Sequence, residues 1–285
     1  MAAQHLKRAG IDVTVLDKAN RPGGRMATRP FEGAIFDYGA QYFTVRSERF
    51  ASFERSWETE GLVRLWEPDR YIGQSGMNSI AAHLAQGLDL RCGVKVRRIY
   101  ETENGPSKQW ALETDFDEVM VADALIVTCP VPQALAMLDR PIPELDGIAY
   151  DRCLTLMAIL DAPHEFAIDG ERIAWFADNQ QKGISMLANS VTINAGPNFS
   201  LDNWDLSAEE VASKILGDVP ARAWKLHRWK FAKPIGQHKD LCFEVNTATP
   251  LFLAGDAFGG PRIEGAAISG LAAAERLLAR LSLQP

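Results

Sequence analysis

The chain opens with MAAQHLKRAGIDVTVLD (residues 1–17), which predicts a helix, a tight turn and a strand that ends in an acid. Residues 1–9 are rich in strong helix formers, and Gly10 suits the left-handed position that closes a helix. Residues 11–17 are rich in β-branched side chains, which indicates a short buried strand ending at Asp17. This order is typical of the second half of a βαβ unit that binds a dinucleotide, in which the acid binds a ribose. The alternative is an ordinary helix and strand with an acid at the strand end.

The glycine fingerprint of a dinucleotide-binding βαβ unit lies about 20 residues before its acid. Counting back from Asp17 reaches Met1, so we expect the first strand and the glycine-rich loop of such a unit to be absent from this chain. A helix N-terminus and glycine amides are the groups that bind a pyrophosphate. We therefore expect weak or no dinucleotide binding by the chain as written, with a start site placed too far downstream as its cause.

The composition is that of a globular protein with an acidic balance. The net charge of −7 and the pI near 5.3 argue against nucleic acid or an anionic membrane as the main partner. The chain has neither an apolar run of the ~18 residues that span a bilayer nor an apolar signal segment, so we expect a cytoplasmic protein. The four cysteines form no CxxC pair and the five histidines no HExxH spacing, which favours free thiols and no metal site.

Periodicity along the rest of the chain predicts a mixed α/β protein. The predicted helices are 46–60, 76–88, 207–219 and 264–281. Strands are predicted throughout 89–128, with a turn at Asn104, Gly105 and Pro106, and then at 153–160, 172–177, 184–189 and 251–256. The middle segment, from about 140 to 245, has the composition of a second domain inserted into the first.

Two glycine-rich segments offer binding sites for an anion. In RPGGRMAT (residues 21–28), adjacent glycines let backbone amides approach a ligand, and Arg25 adds a positive charge. In LFLAGDAFGGPRIEGAA (residues 251–267), a buried strand leads to Asp256, which suits a ligand hydroxyl, and then to a helix start with room for a flat ring. The alternatives are a plain turn in the first segment and a closely packed C-terminal helix in the second.

Two aromatic segments are candidates for a substrate pocket. In FDYGAQYFT (residues 36–44), a tight bend precedes Tyr42 and Phe43, which suit the wall of an aromatic pocket. In WKLHRWKFAKP (residues 224–234), a base, a cation and a large ring are adjacent at His227, Arg228 and Trp229, a set that suits an anionic or planar substrate. Core aromatics and a half-exposed strand are the respective alternatives.

Taken together, four segments resemble the renalase-type branch of the two-dinucleotide-binding-domain flavoproteins: VLDKANRPGGRMATR, DYGAQYFTVR, HRWKFAKP and LAGDAFGGPRIEGAAISG. They occur in that family's order and at similar spacing over nearly the whole chain. The resemblance implies an α/β, FAD-binding Rossmann-like fold with an inserted α+β substrate domain. The FAD-binding domain is expected in residues 1–60, 88–139 and 245–285, and the substrate domain in 61–87 and 140–244.

The resemblance also implies roles for individual residues, with Asp17 at the adenosine ribose of FAD and Val96 along the adenine. Gly23, Gly24 and Arg25 are expected at the pyrophosphate and the flavin side, and Gly255 and Asp256 at the pyrophosphate and ribityl chain. Those expected along the flavin ring are Gly39, Ala40, Gln41, Glu264, Gly265 and Ala266, the last three at its pyrimidine edge. The candidates for the substrate face are Tyr42, His227, Arg228, Trp229 and Arg262.

The activity that the resemblance implies is the oxidation of wrongly isomerised dihydronicotinamide dinucleotides. A hydride passes to FAD, and dioxygen reoxidises the flavin and is released as hydrogen peroxide. Such a reaction needs no acid–base pair, because the cofactor carries the redox chemistry. Two alternatives remain: a flavin amine oxidase or desaturase of the same fold, and a flavin-free remnant that acts as a binding protein or is inert.

Overall fold

The computed structural model describes residues 1–102, 108–138 and 140–282. The helices of these residues are α1 (Ala2–Arg8), α2 (Glu48–Thr59), α3 (Asn78–Ala85), α4 (Val131–Leu138), α5 (Pro197–Asp202), α6 (Ala208–Leu216), α7 (Asp256–Gly259) and α8 (Ile263–Ser282). Short 3₁₀ turns occupy Gly24–Met26 and Pro143–Leu145. The predicted turn at Asn104, Gly105 and Pro106 lies outside the described residues.

The strands of the described residues fall into small sheets. They are β1 (Thr14–Asp17), β2 (Thr28–Phe31), β3 (Ala34–Asp37), β4 (Val63–Glu67), β5 (Arg70–Gly73), β6 (Asp89–Cys92), β7 (Val96–Glu101), β8 (Trp110–Thr114), β9 (Val119–Ala122), β10 (Leu125–Val127), β11 (Ala149–Leu160), β12 (Trp175–Asp178), β13 (Ser190–Asn194), β14 (Ala221–Ile235), β15 (Phe243–Glu244) and β16 (Leu251–Leu253). The predicted helices at 46–60, 76–88, 207–219 and 264–281 correspond to α2, α3, α6 and α8.

The first helix forms as the opening segment predicts, whereas the strand covers only Thr14–Asp17 and is partly exposed instead of buried. Gly10 follows α1 with φ +83°, the left-handed conformation that glycine adopts without a steric penalty. β1 then runs parallel to β6, and β10 runs parallel to β16, with β15 antiparallel on the other side of β16. Leu6 of α1 packs with Phe252 of β16 and with Leu277 of α8 in one buried cluster. These elements form the α/β layer of the molecule.

A second sheet contains the strands of the middle segment. It is antiparallel, with the order β12, β13, β11 and β14. One face packs against α6, where Val211 and Ile215 are fully buried. The other face contacts the hairpin of β2 and β3, where Phe36 packs with Met157. This hairpin therefore packs directly against the second sheet.

The predicted strand at 184–189 is wrong. These residues form turns: the Ile184 and Ser185 amides both donate to the Asn179 carbonyl at 3.1 Å, and Asn189 has a positive φ of 58°. The apolar residues of ISMLAN suggested a strand, but the backbone hydrogen bonds are local, and β13 begins only at Ser190. Within the described residues, no helix combines the length and the apolar composition needed to cross a lipid bilayer.

Candidate functional site

Asp17 and Val96 lie at the carboxyl end of the β1–β6 pair. The Asp17 carboxylate accepts a hydrogen bond from the Ala19 amide at 2.9 Å. The backbone carbonyl of Asp17 accepts a hydrogen bond from the Val94 amide at 3.0 Å. Val96 and Leu16 pack against the same buried cluster. The structure thus brings together the two residues that were predicted to bind adenosine.

Arg25 and Asp256 form an ion pair across 231 residues of sequence. The Arg25 Nη2 donates to Asp256 Oδ1 at 2.7 Å, and its Nη1 donates to Asp256 Oδ2 at 2.5 Å. The Arg25 Nη1 also donates to the Ala232 carbonyl at 3.3 Å. Asp256 is 8% exposed, so this pairing offsets the cost of burying its charge. The two predicted cofactor-binding residues of opposite charge therefore contact each other.

The ring of Tyr150 lies beneath this ion pair, with the Arg25 guanidinium carbon 5.7 Å from the ring centroid. Burial, with a contribution from the Asp256 carboxylate, raises the pKa of Tyr150 to about 12. Tyr150 therefore remains protonated at neutral pH. Its hydroxyl oxygen accepts a hydrogen bond from the Val131 amide at 3.4 Å.

Gly39 passes close to the turn that carries Arg25. A Cβ atom at Gly39 would lie 2.1 Å from the Arg25 carbonyl oxygen, and the same oxygen accepts a hydrogen bond from the Ala40 amide at 2.8 Å. Gly23 and Gly24 on the other side of this contact have positive φ angles of 133° and 49°. The glycines therefore allow two backbone segments to approach more closely than side chains would permit.

Gln41 has a buried acceptor without a donor. Its Nε2 donates to the carbonyls of Asp37 at 2.7 Å and Gly39 at 3.1 Å, which fixes the orientation of the amide. In the described structure its Oε1 is buried and has no hydrogen-bond partner. Leaving a buried acceptor unpaired costs about 1–3 kcal/mol, so this oxygen suits an N–H group of a ligand.

Around the loop between α7 and α8, backbone atoms approach the glycines as closely as they approach Gly39. A Cβ atom at Gly259 would lie 1.9 Å from the Gly265 carbonyl oxygen, and one at Gly265 would lie 2.3 Å from that of Gly260. Gly255 has a φ of 139°, and its amide donates to Ser269 Oγ at 2.8 Å. Ala266 is part of the same helix start.

Glu264 makes contacts that its predicted role does not include. Its carboxylate accepts hydrogen bonds from the amides of Arg46 at 2.9 Å and Ser47 at 2.8 Å, and from the Ser47 hydroxyl at 2.5 Å. Ser47 is the N-cap of α2. The charge of Glu264 therefore stabilises the start of α2 instead of being available at the pyrimidine edge of a flavin.

The cluster predicted at 227–229 is split by the alternation of β14. His227 and Trp229 lie on one face, where their rings contact the Tyr38 ring at 5.0 and 5.4 Å between centroids. Trp229 also donates from Nε1 to the Tyr38 carbonyl at 2.9 Å. Arg228 points to the opposite face and donates to the carbonyls of Trp204 at 3.1 Å and Leu206 at 2.6 Å. Successive side chains of a strand face opposite ways, which corrects the prediction that Arg228 joins the substrate face.

His227 is neutral at physiological pH. Burial, reinforced by the nearby Arg29, lowers the pKa of His227 to about 4. The face formed by Tyr38, His227 and Trp229 is therefore aromatic and uncharged at this imidazole. Arg262, another residue predicted at the substrate face, is exposed just before the start of α8.

Tyr42 belongs to a second group of side chains, together with Arg70 and Trp175. The sequence did not identify these two residues as part of a site. The Tyr42 ring centroid lies 5.3 Å from that of Trp175, and the Arg70 guanidinium lies over both rings. The sequence predicts the aromatic run at 175–176 only as part of a strand. Nothing in the sequence spacing connects Arg70 or Trp175 with Tyr42.

A buried ion pair supports the loop that carries Gly39 to Tyr42, and it was also missed. Lys182 Nζ donates to Asp37 Oδ2 at 2.7 Å, and both side chains are 0% exposed. Asp37 Oδ1 accepts from Thr28 Oγ1 at 2.5 Å and from the Met77 amide at 2.8 Å. Asp37 ends β3, so the pair fixes the point from which the loop leaves the hairpin.

Two family models match the N-terminal half of the chain. Residues 1–56 match a NAD(P)-binding Rossmann-like domain, and residues 47–150 match flavin containing amine oxidoreductase. Residues 47–150 are therefore similar to flavin-containing amine oxidoreductases, and the two matches support a flavin-dependent oxidoreductase.

Solved structures confirm the α/β Rossmann-like fold. One is the crystal structure of a protein described as a protoporphyrinogen oxidase from Exiguobacterium sp. 255-15, with a TM-score of 0.74 and 14% identity over 98% of this chain and 96% of that one. Wild-type putrescine oxidase bound to putrescine has a TM-score of 0.66 and 14% identity over 98% and 96%. The CLA-producing fatty acid isomerase from P. acnes has a TM-score of 0.65 and 10% identity over 98% and 95%. At these identities the likeness concerns the fold alone.

The residues of the site fit a bound flavin. The unpaired Gln41 Oε1 suits a ring N–H, whereas the space beside Gly39 and Gly265 is occupied by backbone carbonyls of the protein itself. Such convergent polar groups beside tightly packed glycines are typical of nucleotide cofactor sites.

Proposed function

We propose that the protein is an FAD-dependent oxidase of isomeric dihydronicotinamide dinucleotides. In this proposal, residues 1–60, 88–139 and 245–285 bind the cofactor, and residues 61–87 and 140–244 cover the substrate. A bound FAD would supply the hydride acceptor for the dihydropyridine ring of the substrate, and its reoxidation by dioxygen would yield hydrogen peroxide. The substrate becomes the ordinary oxidised nicotinamide.

One observation supports this function most strongly: the rings of Tyr38, His227 and Trp229 form an aromatic face whose imidazole is uncharged, with the Arg29 guanidinium carbon 5.5 Å from the Tyr38 centroid. The low pKa of His227, about 4, leaves a neutral imidazole beside two stacked rings. An aromatic wall with a neutral imidazole suits a flat, electron-rich dihydropyridine, and hydride loss requires no general base. The role of this wall is to orient the substrate ring and to exclude water.

The cofactor roles in this proposal follow from the contacts of each residue. Asp17 and Val96 bind the adenosine. Arg25 has five guanidinium N–H groups, of which three bind Asp256 and Ala232 in the described structure, so two remain for a phosphate oxygen. The backbones of Gly23, Gly24 and Gly255 line the pyrophosphate and ribityl chain.

Gly39, Ala40 and Gln41 would line the ring of a bound flavin, with Gly265 and Ala266 near its pyrimidine edge. Gln41 Oε1 would accept a hydrogen bond from a ring N–H, which would satisfy this buried acceptor. Glu264 acts as a positioning residue, because its carboxylate holds the start of α2 against the start of α8.

The experiment that tests this function compares substrates with FAD in excess. Hydrogen peroxide production is measured with isomeric dihydronicotinamide dinucleotides and with aliphatic and aromatic amines. We expect turnover of the dihydronicotinamides and little turnover of the amines. Turnover of amines alone would favour the flavin amine oxidase alternative and contradict the proposal.

A matched pair of variants locates the substrate face. Trp229→Phe removes the Nε1 bond to Tyr38 and reduces stacking, so we expect a raised KM for the dihydronicotinamide. Trp224→Phe is the same type of substitution on the opposite face of β14, where Trp224 packs towards α6. It should leave the KM for the dihydronicotinamide unchanged. Equal effects of the two substitutions would contradict the assignment of the substrate face.

A further inference from the structure

Three separate elements bring Tyr42, Arg70 and Trp175 together. Tyr42 lies in the loop after β3, Arg70 begins β5 and Trp175 begins β12. The Tyr42 and Trp175 rings are tilted by 45° with centroids 5.3 Å apart. The Arg70 guanidinium carbon lies 4.7 Å from the Tyr42 centroid and 5.1 Å from the Trp175 centroid. A cation therefore already occupies the position over both rings that attracts positive charge.

The indole of Trp175 has a donor without an acceptor. Its Nε1 is buried and has no hydrogen-bond partner among the described residues. Two other tryptophans satisfy this atom with backbone carbonyls: Trp110 donates to Pro250 at 3.0 Å, and Trp229 donates to Tyr38 at 2.9 Å. An unpaired buried N–H costs about 1–3 kcal/mol, so the Trp175 site suits a ligand that supplies an acceptor.

The charge of Arg70 is only partly neutralised. Arg70 pairs with Glu67, and the two side chains are 35% and 42% exposed, so solvent screens this pair. An ammonium ion that approaches the rings is repelled by the Arg70 charge and finds one face of each ring already occupied by the guanidinium. A carbonyl or carboxylate meets a cation and an unpaired N–H donor.

We propose that Tyr42, Arg70 and Trp175 form a specificity site that selects planar compounds carrying a carbonyl or carboxylate group and excludes ammonium ions. Tyr42 provides an aromatic surface, Trp175 Nε1 donates to the acceptor, and Arg70 sets the sign of the charge that is accepted. This inference rests on the proposed function, because it assigns the acceptor-bearing end of that substrate to this site.

The test is equilibrium binding to the full chain, measured by calorimetry without turnover. The probes are nicotinate, nicotinamide and benzylamine, which share a planar ring and differ in charge. We expect affinity to fall in that order. Arg70→Gln should weaken nicotinate binding about tenfold and strengthen benzylamine binding, because it leaves Glu67 unpaired. Glu67→Gln should act in the opposite direction, because it leaves Arg70 unpaired.

Two further variants complete the test. Trp175→Phe keeps an aromatic ring and removes the donor, so it should weaken nicotinate and nicotinamide about fivefold with little effect on benzylamine. Arg55→Gln, which removes an exposed arginine paired with Glu48 on α2, should change none of these affinities.

Several results would overturn the specificity site. These are tighter binding of benzylamine than of nicotinate by the unmodified chain, shifts of the same sign for Arg70→Gln and Glu67→Gln, or no effect of Trp175→Phe. The proposed function fails separately: the expected charge order without turnover of dihydronicotinamides would contradict that function alone. Turnover without the charge order would contradict the specificity site alone.

Discussion

Lys182→Met removes the buried cation of the Asp37–Lys182 ion pair and should lower the free energy of unfolding by about 3–5 kcal/mol, the range found when one partner of a buried pair is removed. Both side chains are 0% exposed, and their charged atoms are 2.7 Å apart. The substitution leaves the Asp37 carboxylate in the core with two donors, Thr28 Oγ1 and the Met77 amide. We therefore expect a loss near the lower end of this range.

The magnitude follows from two opposing contributions. At an effective dielectric of about 20, unit charges 2.7 Å apart attract by about 6 kcal/mol, while desolvation costs several kcal/mol for each ion. Burial lowers the pKa of Lys182, and the Asp37 charge opposes that shift. The intact pair therefore contributes little net stability, but either ion alone is costly. Asp37→Asn should cost more than Lys182→Met, because it also removes the charged acceptor of the Met77 amide.

The assay is equilibrium unfolding in urea of both single variants and of the double variant. Because the two residues are in contact, their effects should not add. The double variant should lose at least about 1 kcal/mol less free energy of unfolding than the two single variants lose together. Lys214→Met, on the exposed side of α6, is the control and should change stability by less than about 0.5 kcal/mol. A loss under about 1 kcal/mol for Lys182→Met, or strict additivity, would refute this reasoning.

Further predictions concern pH, a backbone contact and a helix start. The pKa of His227 is about 4 in the folded chain and about 6.5 in the unfolded chain. The neutral His227 therefore contributes its full stability above about pH 6.5, and this contribution is lost as the pH falls towards 4. An NMR titration of His227 with a midpoint near 6.5 would contradict this prediction. Gly39→Ala places a Cβ atom 2.1 Å from a backbone carbonyl and should lower the free energy of unfolding in urea by about 1–3 kcal/mol or more. Gly147→Ala, whose Cβ enters open space, should lower it less, and equal losses for the two variants would refute the close contact. Glu264→Gln removes the charge of the acceptor at the start of α2 and should lower the free energy of unfolding in urea by about 1–3 kcal/mol. Glu275→Gln, at an exposed position on α8, should change it by almost nothing, and similar losses for the two variants would exclude the capping role of Glu264.

The parts of the fold that depend on neighbouring residues could be predicted from the sequence. Gly10 ends α1 because glycine adopts a positive φ there, and β1 ends at Asp17 as the β-branched run indicates. The length of α8 follows from the small and apolar residues between 264 and 281. The paired glycines at 23–24 also take the conformations that make glycine necessary.

Contacts between distant residues could not be predicted, because spacing in one sequence carries no information about them. Lys182 and Asp37 are 145 residues apart, and Glu264 and Ser47 are 217 residues apart. Each pair meets only because separate elements pack together. The burial of Lys182 is opposite to the exposure that its residue type predicts.

Arg228 is a different kind of error, because the sequence contained the signal that would have corrected it. Strand alternation separates Arg228 from His227 and Trp229, and the apolar Trp224 and Leu226 mark the face that Arg228 shares. Residues adjacent in a strand are neighbours along the chain but lie on opposite faces of the sheet. The period of two therefore identifies His227 and Trp229 as partners.

A titration of FAD with the full chain, followed by visible absorption, determines whether this chain is a flavoprotein. Because the opening segment predicts weak dinucleotide binding, the shift of the flavin bands caused by binding at Arg25, Gly39 and Gln41 should saturate only at high protein concentration. Gly39→Ala should weaken that shift and Gly147→Ala should leave it unchanged. A flavin spectrum identical to that of free FAD at every protein concentration would contradict the assignment of these residues to a flavin site.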